Sequence, residues 1–165
     1  ISIITFNRSS ELIIPLTELE NVQIPVIKTP ESGPTHLGEA LKYVCDNIDT
    51  EIQLTSIDKK GDWMPLLFIM CDGRVSDPQQ FNLIIKEIHK KKFGCIVACL
   101  VGERTNIDNL RKFTENILKL ETTDSRSFIQ FFKWVSASVC VGNRSLGASD
   151  HLKLPSIPLE VNSII

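Results

Sequence analysis

The stretch that most constrains this chain is Pro65-Leu66-Leu67-Phe68-Ile69-Met70-Cys71-Asp72-Gly73, an unbroken apolar run that stops on a carboxylate and then a glycine. A run this short and this apolar fits a strand covered on both faces, as in a parallel sheet. The Asp72-Gly73 pair reads as the turn off the carboxyl end of that strand. Open α/β sheets bind ligands in the crevice at that edge, which makes Asp72 a candidate site residue.

The rest of the chain alternates in the same way. Residues 2–6 and 11–16 are β-rich and flank the turn Asn7-Arg8-Ser9-Ser10, which predicts a hairpin. Residues 28–34 form a break rich in turn formers. Thr35 or His36 then opens a helix whose apolar positions, Leu37, Ala40, Leu41, Val44, Cys45, Ile48 and Ile52, draw one stripe. A loop over residues 58–63 leads into the central strand. Asp77 before Pro78 gives a capping side chain and a proline at the first helical position, starting a helix with Phe81, Ile84, Ile85 and Ile88 on one face. Residues 95–101 read as another buried strand, 106–113 as a short helix and 117–120 as a short strand. Asp124 or Ser125 caps a last helix carrying Phe128, Phe131, Phe132, Val135 and Val139. From Gly142 the chain is polar and irregular, and a loose or disordered tail is expected. The pattern predicts an α/β fold, with a mostly parallel sheet and an antiparallel hairpin at its edge.

Composition narrows the function classes. A length of 165 residues suits one domain with a real core. The net charge of −2, with signs mixed along the chain, gives no electrostatic case for nucleic acid or an anionic membrane. The basic run Lys90-Lys91-Lys92 falls where a helix ends and suits the helix dipole. No apolar stretch reaches membrane-spanning length, and a signal peptide is not expected. The five cysteines match no zinc spacing and sit mostly in apolar segments, which fits a reducing, cytoplasmic compartment. The glycosylation triplets at Asn7 and Asn143 are common by chance. The chain opens without a methionine and in mid-strand, as a fragment of a longer protein would.

No Gly-rich phosphate loop, nucleophile elbow or H-E-x-x-H motif occurs, and His36, His89 and His151 stand apart in sequence. A nucleophile–base or acid–base constellation is not visible, so no catalytic residue is assigned. Two strand-edge features remain, Ser32-Gly33-Pro34-Thr35 before a helix and Cys71-Asp72-Gly73 after a strand. The Thr35 hydroxyl and the Asp72 carboxylate are hard oxygen ligands suited to Mg²⁺ or Mn²⁺. Two oxygens supply only part of the roughly six ligands Mg²⁺ demands. The plainer alternative is that Thr35 caps its helix and Asp72 only shapes a turn.

Several stretches, taken in order, resemble a von Willebrand factor A domain, and within that superfamily the bacterial tellurium-resistance type. They are Ile3-Ile4-Thr5-Phe6, Ile14-Pro15-Leu16-Thr17, Ser32-Gly33-Pro34-Thr35 followed by Leu37-Gly38-Glu39-Ala40-Leu41, Gly61-Asp62-Trp63, Cys71-Asp72-Gly73, and residues 131–139 beginning Phe131-Phe132-Lys133-Trp134. The resemblance covers residues 1–141 and leaves 142–165 as a tail. It implies a doubly wound sheet with a metal-ion-dependent adhesion site at its carboxyl edge, built from three loops. Thr35 matches the second loop's threonine and Asp72 the third loop's aspartate. The cation would be Mg²⁺, or Mn²⁺ or Ca²⁺, and a protein partner would supply a carboxylate as its last ligand. Domains of this kind bind and do not catalyse. The tellurium-resistance type is encoded beside kinase- and phosphatase-like proteins, which implies a scaffold or sensor in bacterial stress signalling.

The sequence departs from that pattern in two places. The first loop's Asp-x-Ser-x-Ser is absent, together with the strand and helix that flank it. The third motif has Cys71 where threonine is common. In the family the missing strand lies next to the one ending at Asp72, so residues 1–165 alone are expected to lack the stability of an independent domain. Two other functions stand beside the metal-dependent one: a metal-independent scaffold of the same fold, and an α/β hydrolase or nucleotide-binding enzyme, which would need a motif this chain lacks.

Overall fold

The computed structural model describes residues 1–27, 33–52, 58, 61–102, 105–120, 122–144, 154–158 and 161–163, with the side chains of 142–144 and 162–163 excepted. Ser32, most of the expected break over 28–34, much of the loop before Gly61, His151 and the first part of the tail lie outside the described residues. In chain order the elements are β1 (Ile3–Phe6), β2 (Ser10–Ile14), α1 (Leu37–Glu51), β3 (Leu66–Cys71), α2 (Pro78–Ile88), β4 (Cys95–Leu100), α3 (Ile107–Leu110), β5 (Asn116–Leu120), α4 (Ser125–Arg144) and β6 (Val161–Ser163). A single 3₁₀ turn covers Leu19–Asn21. No helix among the described residues is long and apolar enough to cross a membrane.

The chain divides into two compact units. The first comprises Ile1–Asp62 and Val75–Lys91. In it β1 and β2 pair antiparallel, with Ile3 opposite Ile14 and an irregularity between Ile3 and Ile4. Helix α1 buries Leu37, Ala40, Leu41, Cys45 and Ile48, the stripe its sequence spacing predicts, and α2 buries Phe81, Ile84 and Ile88. These two apolar faces pack together, and beyond them Lys91 Nζ reaches Asp49 Oδ2 at 2.5 Å. Lys90 pairs with Glu87 at 2.8 Å, so two of the three lysines in the basic run neutralise carboxylates.

The second unit comprises Trp63–Arg74 and Lys92–Ile165. Its sheet runs in the order β3-β4-β5-β6, with β3, β4 and β5 parallel and β6 antiparallel. The fold is thus mixed α/β, with a three-stranded parallel sheet and a separate antiparallel hairpin. Three expectations change here. The β1–β2 hairpin forms a sheet of its own rather than the edge of the parallel one, and the antiparallel edge strand is β6. Hydrophobic pattern specifies strands and their faces but not their order, so the sequence could not choose between these edges. Strand β3, read as covered on both faces, is the end strand of its sheet, and only Ile69 in it is fully buried. The most deeply buried strand is β4, where Val97, Ala98, Cys99 and Leu100 are almost inaccessible.

The third change concerns the tail. Leu154 and Ile157 pack against a cluster of Val97, Cys99, Leu118, Leu120, Phe131, Trp134 and Val161, and residues 161–163 complete the sheet. The Trp134 indole N–H donates to the Pro155 carbonyl at 3.1 Å. A buried indole N–H needs a partner, and this part of the tail supplies it.

The same contacts set the rotation of α4. Its inward face holds Ser127, Phe131, Trp134 and Ser138, whereas Phe132 and Val139, expected on the core stripe, are 56% and 39% exposed. Two serines can occupy a core face because their hydroxyls are satisfied: Ser138 donates to the Trp134 carbonyl at 2.8 Å, and Ser127 pairs with Thr122 at 2.8 Å. Asp124 caps the helix as its sequence position predicts, accepting from the Ser127 amide at 2.8 Å and from the Thr122 hydroxyl at 3.0 Å. Those two donors hold its carboxyl below the usual aspartate value of 3.8. A depressed folded-state pKa contributes stability that is present above the unfolded value and lost as pH falls through the folded one. Asp124→Asn keeps an acceptor but removes the charge. The urea midpoints of parent and variant should therefore differ at pH 6 and converge as the pH falls below 3.8. A gap that is constant from pH 6 to pH 2.5 would contradict this assignment.

Candidate functional site

Thr35 lies in the first unit, at the entry to α1. Its amide donates to Ser76 Oγ at 3.0 Å, and its carbonyl accepts from the Ser76 amide at 2.9 Å. Both main-chain groups are thus committed. The side-chain hydroxyl, half-buried, has no hydrogen-bond partner among the described residues. Thr35 does not cap α1, because the N-cap position is His36, whose side chain makes no capping bond.

The cap comes instead from a distant residue. Asp77 Oδ1 accepts from the Gly38 amide at 3.2 Å, and Oδ2 accepts from the Glu39 amide at 2.8 Å. Asp77 was expected to cap its own helix, and it makes no side-chain capping bond there. The proline at N1 has already removed one donor from the start of α2, which leaves the carboxylate available to the orphan amides of α1. One aspartate thereby ties two helix N-termini together and, through the neighbouring Ser76, fixes the main chain of Thr35. Losing an N-cap costs typically about 1 kcal/mol, so Asp77→Ala should lower the stability of the chain by about that much, with Asp77→Asn costing only a fraction of it. Urea titration of the three proteins checks this ordering; equal stability of all three would contradict it.

Asp72 lies in the second unit, immediately after β3. Its Oδ1 accepts from the Arg74 amide at 2.9 Å, an Asx-turn that folds the chain back at the end of the strand. Its carbonyl accepts from the Asn106 amide at 2.9 Å, and the Gly73 carbonyl accepts from Asn109 Nδ2 at 3.1 Å. Asn106 in turn caps α3, its side chain accepting from the Asp108 amide at 3.0 Å. The turn is therefore pinned from below by α3, and the side chain of Asp72 is 38% exposed. Its Oδ2 lies 3.9 Å from Nε of the Arg74 guanidinium.

The donor chemistry can be set against what a hard divalent cation needs. The Thr35 hydroxyl, without a hydrogen-bond partner among the described residues, and the part-exposed carboxylate of Asp72 are ligands of the right class. Their number is short of a full set. Among the described residues no group of three or more His, Cys, Asp or Glu side chains is placed to hold a metal ion. The Arg74 guanidinium also brings a positive charge to the carboxylate a cation would use. Both the turn-forming role of Asp72 and its availability as a ligand are thus present in one side chain.

The cysteines offer no nucleophile in the buried layers. Burial pushes the Cys45 and Cys71 thiols up to about 11 and Cys99 up to about 12, and it raises Cys95 as well. A thiol so raised is protonated at neutral pH and behaves as a small hydrophobe. Cys140, on α4, is exposed.

Sequence spacing located Thr35 and Asp72 but missed the residues that hold their turns. Ser76, Asp77, Asn106 and Asn109 act across long sequence separations. The only local signal was that Ser, Asp and Asn cluster at predicted helix starts, where such residues favour capping. No family model, curated protein or solved structure matches the chain.

Proposed function

We propose that the chain is a protein-binding domain of the von Willebrand factor A type, similar to the bacterial tellurium-resistance kind, that engages its partner through a divalent cation. The Thr35 hydroxyl and the Asp72 carboxylate would be two of the ligands, Mg²⁺ is the favoured ion, and the partner would donate a further carboxylate. The domain would bind rather than catalyse, and would act as a cytoplasmic scaffold or sensor with kinase- or phosphatase-like stress proteins as its partners. The observation that carries this reading is the placement of Asp72: a part-exposed carboxylate in a pinned turn at the carboxyl end of a parallel strand, where open α/β sheets take their ligands. The Thr35 hydroxyl, which has no hydrogen-bond partner among the described residues, supports it further.

A second reading, a scaffold of the same fold that works without metal, is favoured by Arg74, whose guanidinium stands beside the same carboxylate. Thermal unfolding in Mg²⁺ and in chelator separates the two. A ligand that binds only the native state stabilises it by mass action, by about 1.4 kcal/mol at ten times its dissociation constant. Mg²⁺ is expected to raise the midpoint of the parent, to leave Thr35→Ala and Asp72→Ala unmoved, and to act at lower concentration on Arg74→Gln. A parent midpoint indifferent to Mg²⁺ would support the metal-free scaffold.

A further inference from the structure

The turn that ends β3 brings together the two groups of a spontaneous covalent reaction. An aspartyl carboxyl can close on the main-chain nitrogen of the next residue, and glycine at that next position leaves the nitrogen unhindered because it has no β-carbon. Asp72 is the only aspartate or asparagine in the chain that a glycine follows.

The local geometry favours closure. Asp72 Oδ1 accepts from the Arg74 amide at 2.9 Å, and this Asx-turn folds the side chain back over the peptide bond to Gly73, setting Cγ on the side of the Gly73 nitrogen. The same Arg74 amide is placed to stabilise the charge that develops on Oδ1 when Cγ becomes tetrahedral. The Gly73 amide donates to the Cys71 sulfur, a weak acceptor that restrains it little. The Asp72 side chain is 38% exposed, so water can reach a ring formed there.

We propose that Asp72 is a self-modification site, which converts to isoaspartate through a succinimide. The Gly73 nitrogen bonds to Cγ of the Asp72 carboxylic acid, and the amide proton and the carboxyl hydroxyl leave as water. A second water then opens the ring. Attack at Cγ restores aspartate. Attack at the former main-chain carbonyl leaves the main chain running through Cβ and Cγ, with a free carboxylate on Cα. No oxidant, reductant or further reactant takes part.

The product cannot keep the turn. The Asp72 carbonyl accepts from the Asn106 amide and the Gly73 carbonyl from Asn109 Nδ2, and even a β-carbon on Gly73 would lie 1.9 Å from the Asn106 carbonyl oxygen. An added main-chain carbon therefore frees the turn from α3 and moves the carboxylate from the side chain to Cα. The proposal stands whether or not Asp72 serves a cation.

The test uses the full chain, aged in native buffer at neutral pH and physiological temperature, with fresh protein as the baseline. Both are cut with trypsin, and an isoaspartyl-specific carboxyl methyltransferase then labels the peptides with tritiated methyl groups. Ageing is expected to place more label in the peptide that ends at Arg74 than in any other. That label should be lost in Asp72→Glu, which keeps the charge but must close a larger ring. The isoaspartyl form, separated by ion exchange, should unfold at lower urea than fresh protein. Absence of label from that peptide, label that persists there in Asp72→Glu, or an isoaspartyl form as stable as fresh protein would overturn the proposal. Label that forms in urea but not in native buffer would overturn it too, because the turn would then shield Asp72.

Discussion

Gly73→Ala should be among the most damaging single-atom-scale changes this chain can carry, at about 2–5 kcal/mol of stability. Two costs combine. Gly73 has φ +75°, in the left-handed region, where a side chain adds about 1–2 kcal/mol. An added β-carbon would also lie 1.9 Å from the Asn106 carbonyl oxygen and 2.9 Å from Cδ2 of Leu100. The first neighbour is backbone and cannot rotate away. The Asn106 amide is itself bound to the Asp72 carbonyl, and Asn109 to that of Gly73, so relief requires moving α3 and the turn together. Overpacking of this kind adds about 1–3 kcal/mol. Urea denaturation measures the loss. The displaced turn should also carry the Asp72 carboxylate out of position, so any Mg²⁺ response of the parent should vanish in the variant. A loss below about 1 kcal/mol, within the ordinary range of surface substitutions, would show that the turn is not held as described.

Gly38→Ala has the next largest expected effect, and its sign runs against helix propensity. In an isolated helix alanine is better than glycine by up to about 1 kcal/mol. Here the added β-carbon would stand 2.3 Å from the Phe81 amide nitrogen, 2.7 Å from its Cα and 2.8 Å from Asp77 Oδ2. Helix α1 approaches the backbone of α2 through this glycine, and the Asp77 cap depends on the same approach. The overlap with backbone places the packing cost at or above the upper end of the usual range of about 1–3 kcal/mol, leaving a net loss of about 2–3 kcal/mol after the propensity gain. Denaturant titration decides between the two effects: a variant as stable as the parent, or more so, would mean that α1 and α2 are not in close contact at Gly38.

Much of this architecture was legible before the structure, and the reason lies in which interactions are local. The stripe from Leu37 to Ile48, the proline at the start of α2 and the Asp124 cap each depend on residues within a few positions of one another, and each formed as its spacing predicts. The placement of Asp72 at the end of a parallel strand was likewise written in the run from Pro65 to Gly73. What the sequence hid depends on distant partners. Asp77 looks like a cap for its own helix, yet its acceptors serve amides about forty positions away in the chain. Ser127 and Ser138 look like surface residues, and become core only because each hydroxyl finds an oxygen partner. Their burial rotates α4 and turns Phe132 outward. Residues 161–163, set in a polar tail, become a strand because β5 offers an open edge and Val161 joins the apolar cluster around Trp134.

The candidate site was legible to a lesser degree. Residue type and position identified two hard oxygens, one of them without a hydrogen-bond partner among the described residues and the other shaping a turn beside Arg74. That arginine follows Asp72 by two positions, but nothing in its spacing shows that the chain folds back to bring its guanidinium within 3.9 Å of the carboxylate.

The proposal that Thr35 and Asp72 are each needed for divalent-cation binding is tested most simply by a direct count of bound metal. Mn²⁺ substitutes for Mg²⁺ at oxygen sites, and free Mn²⁺ is quantified by its paramagnetic resonance signal as protein is added. The prediction is one saturable site per chain in the parent, displaced by excess Mg²⁺ and lost in both Thr35→Ala and Asp72→Ala, with all three proteins folded by circular dichroism. No saturable site in the parent, or one that survives either substitution, would contradict the claim and leave Asp72 as the residue that shapes a turn and Thr35 as the hinge on which α1 begins.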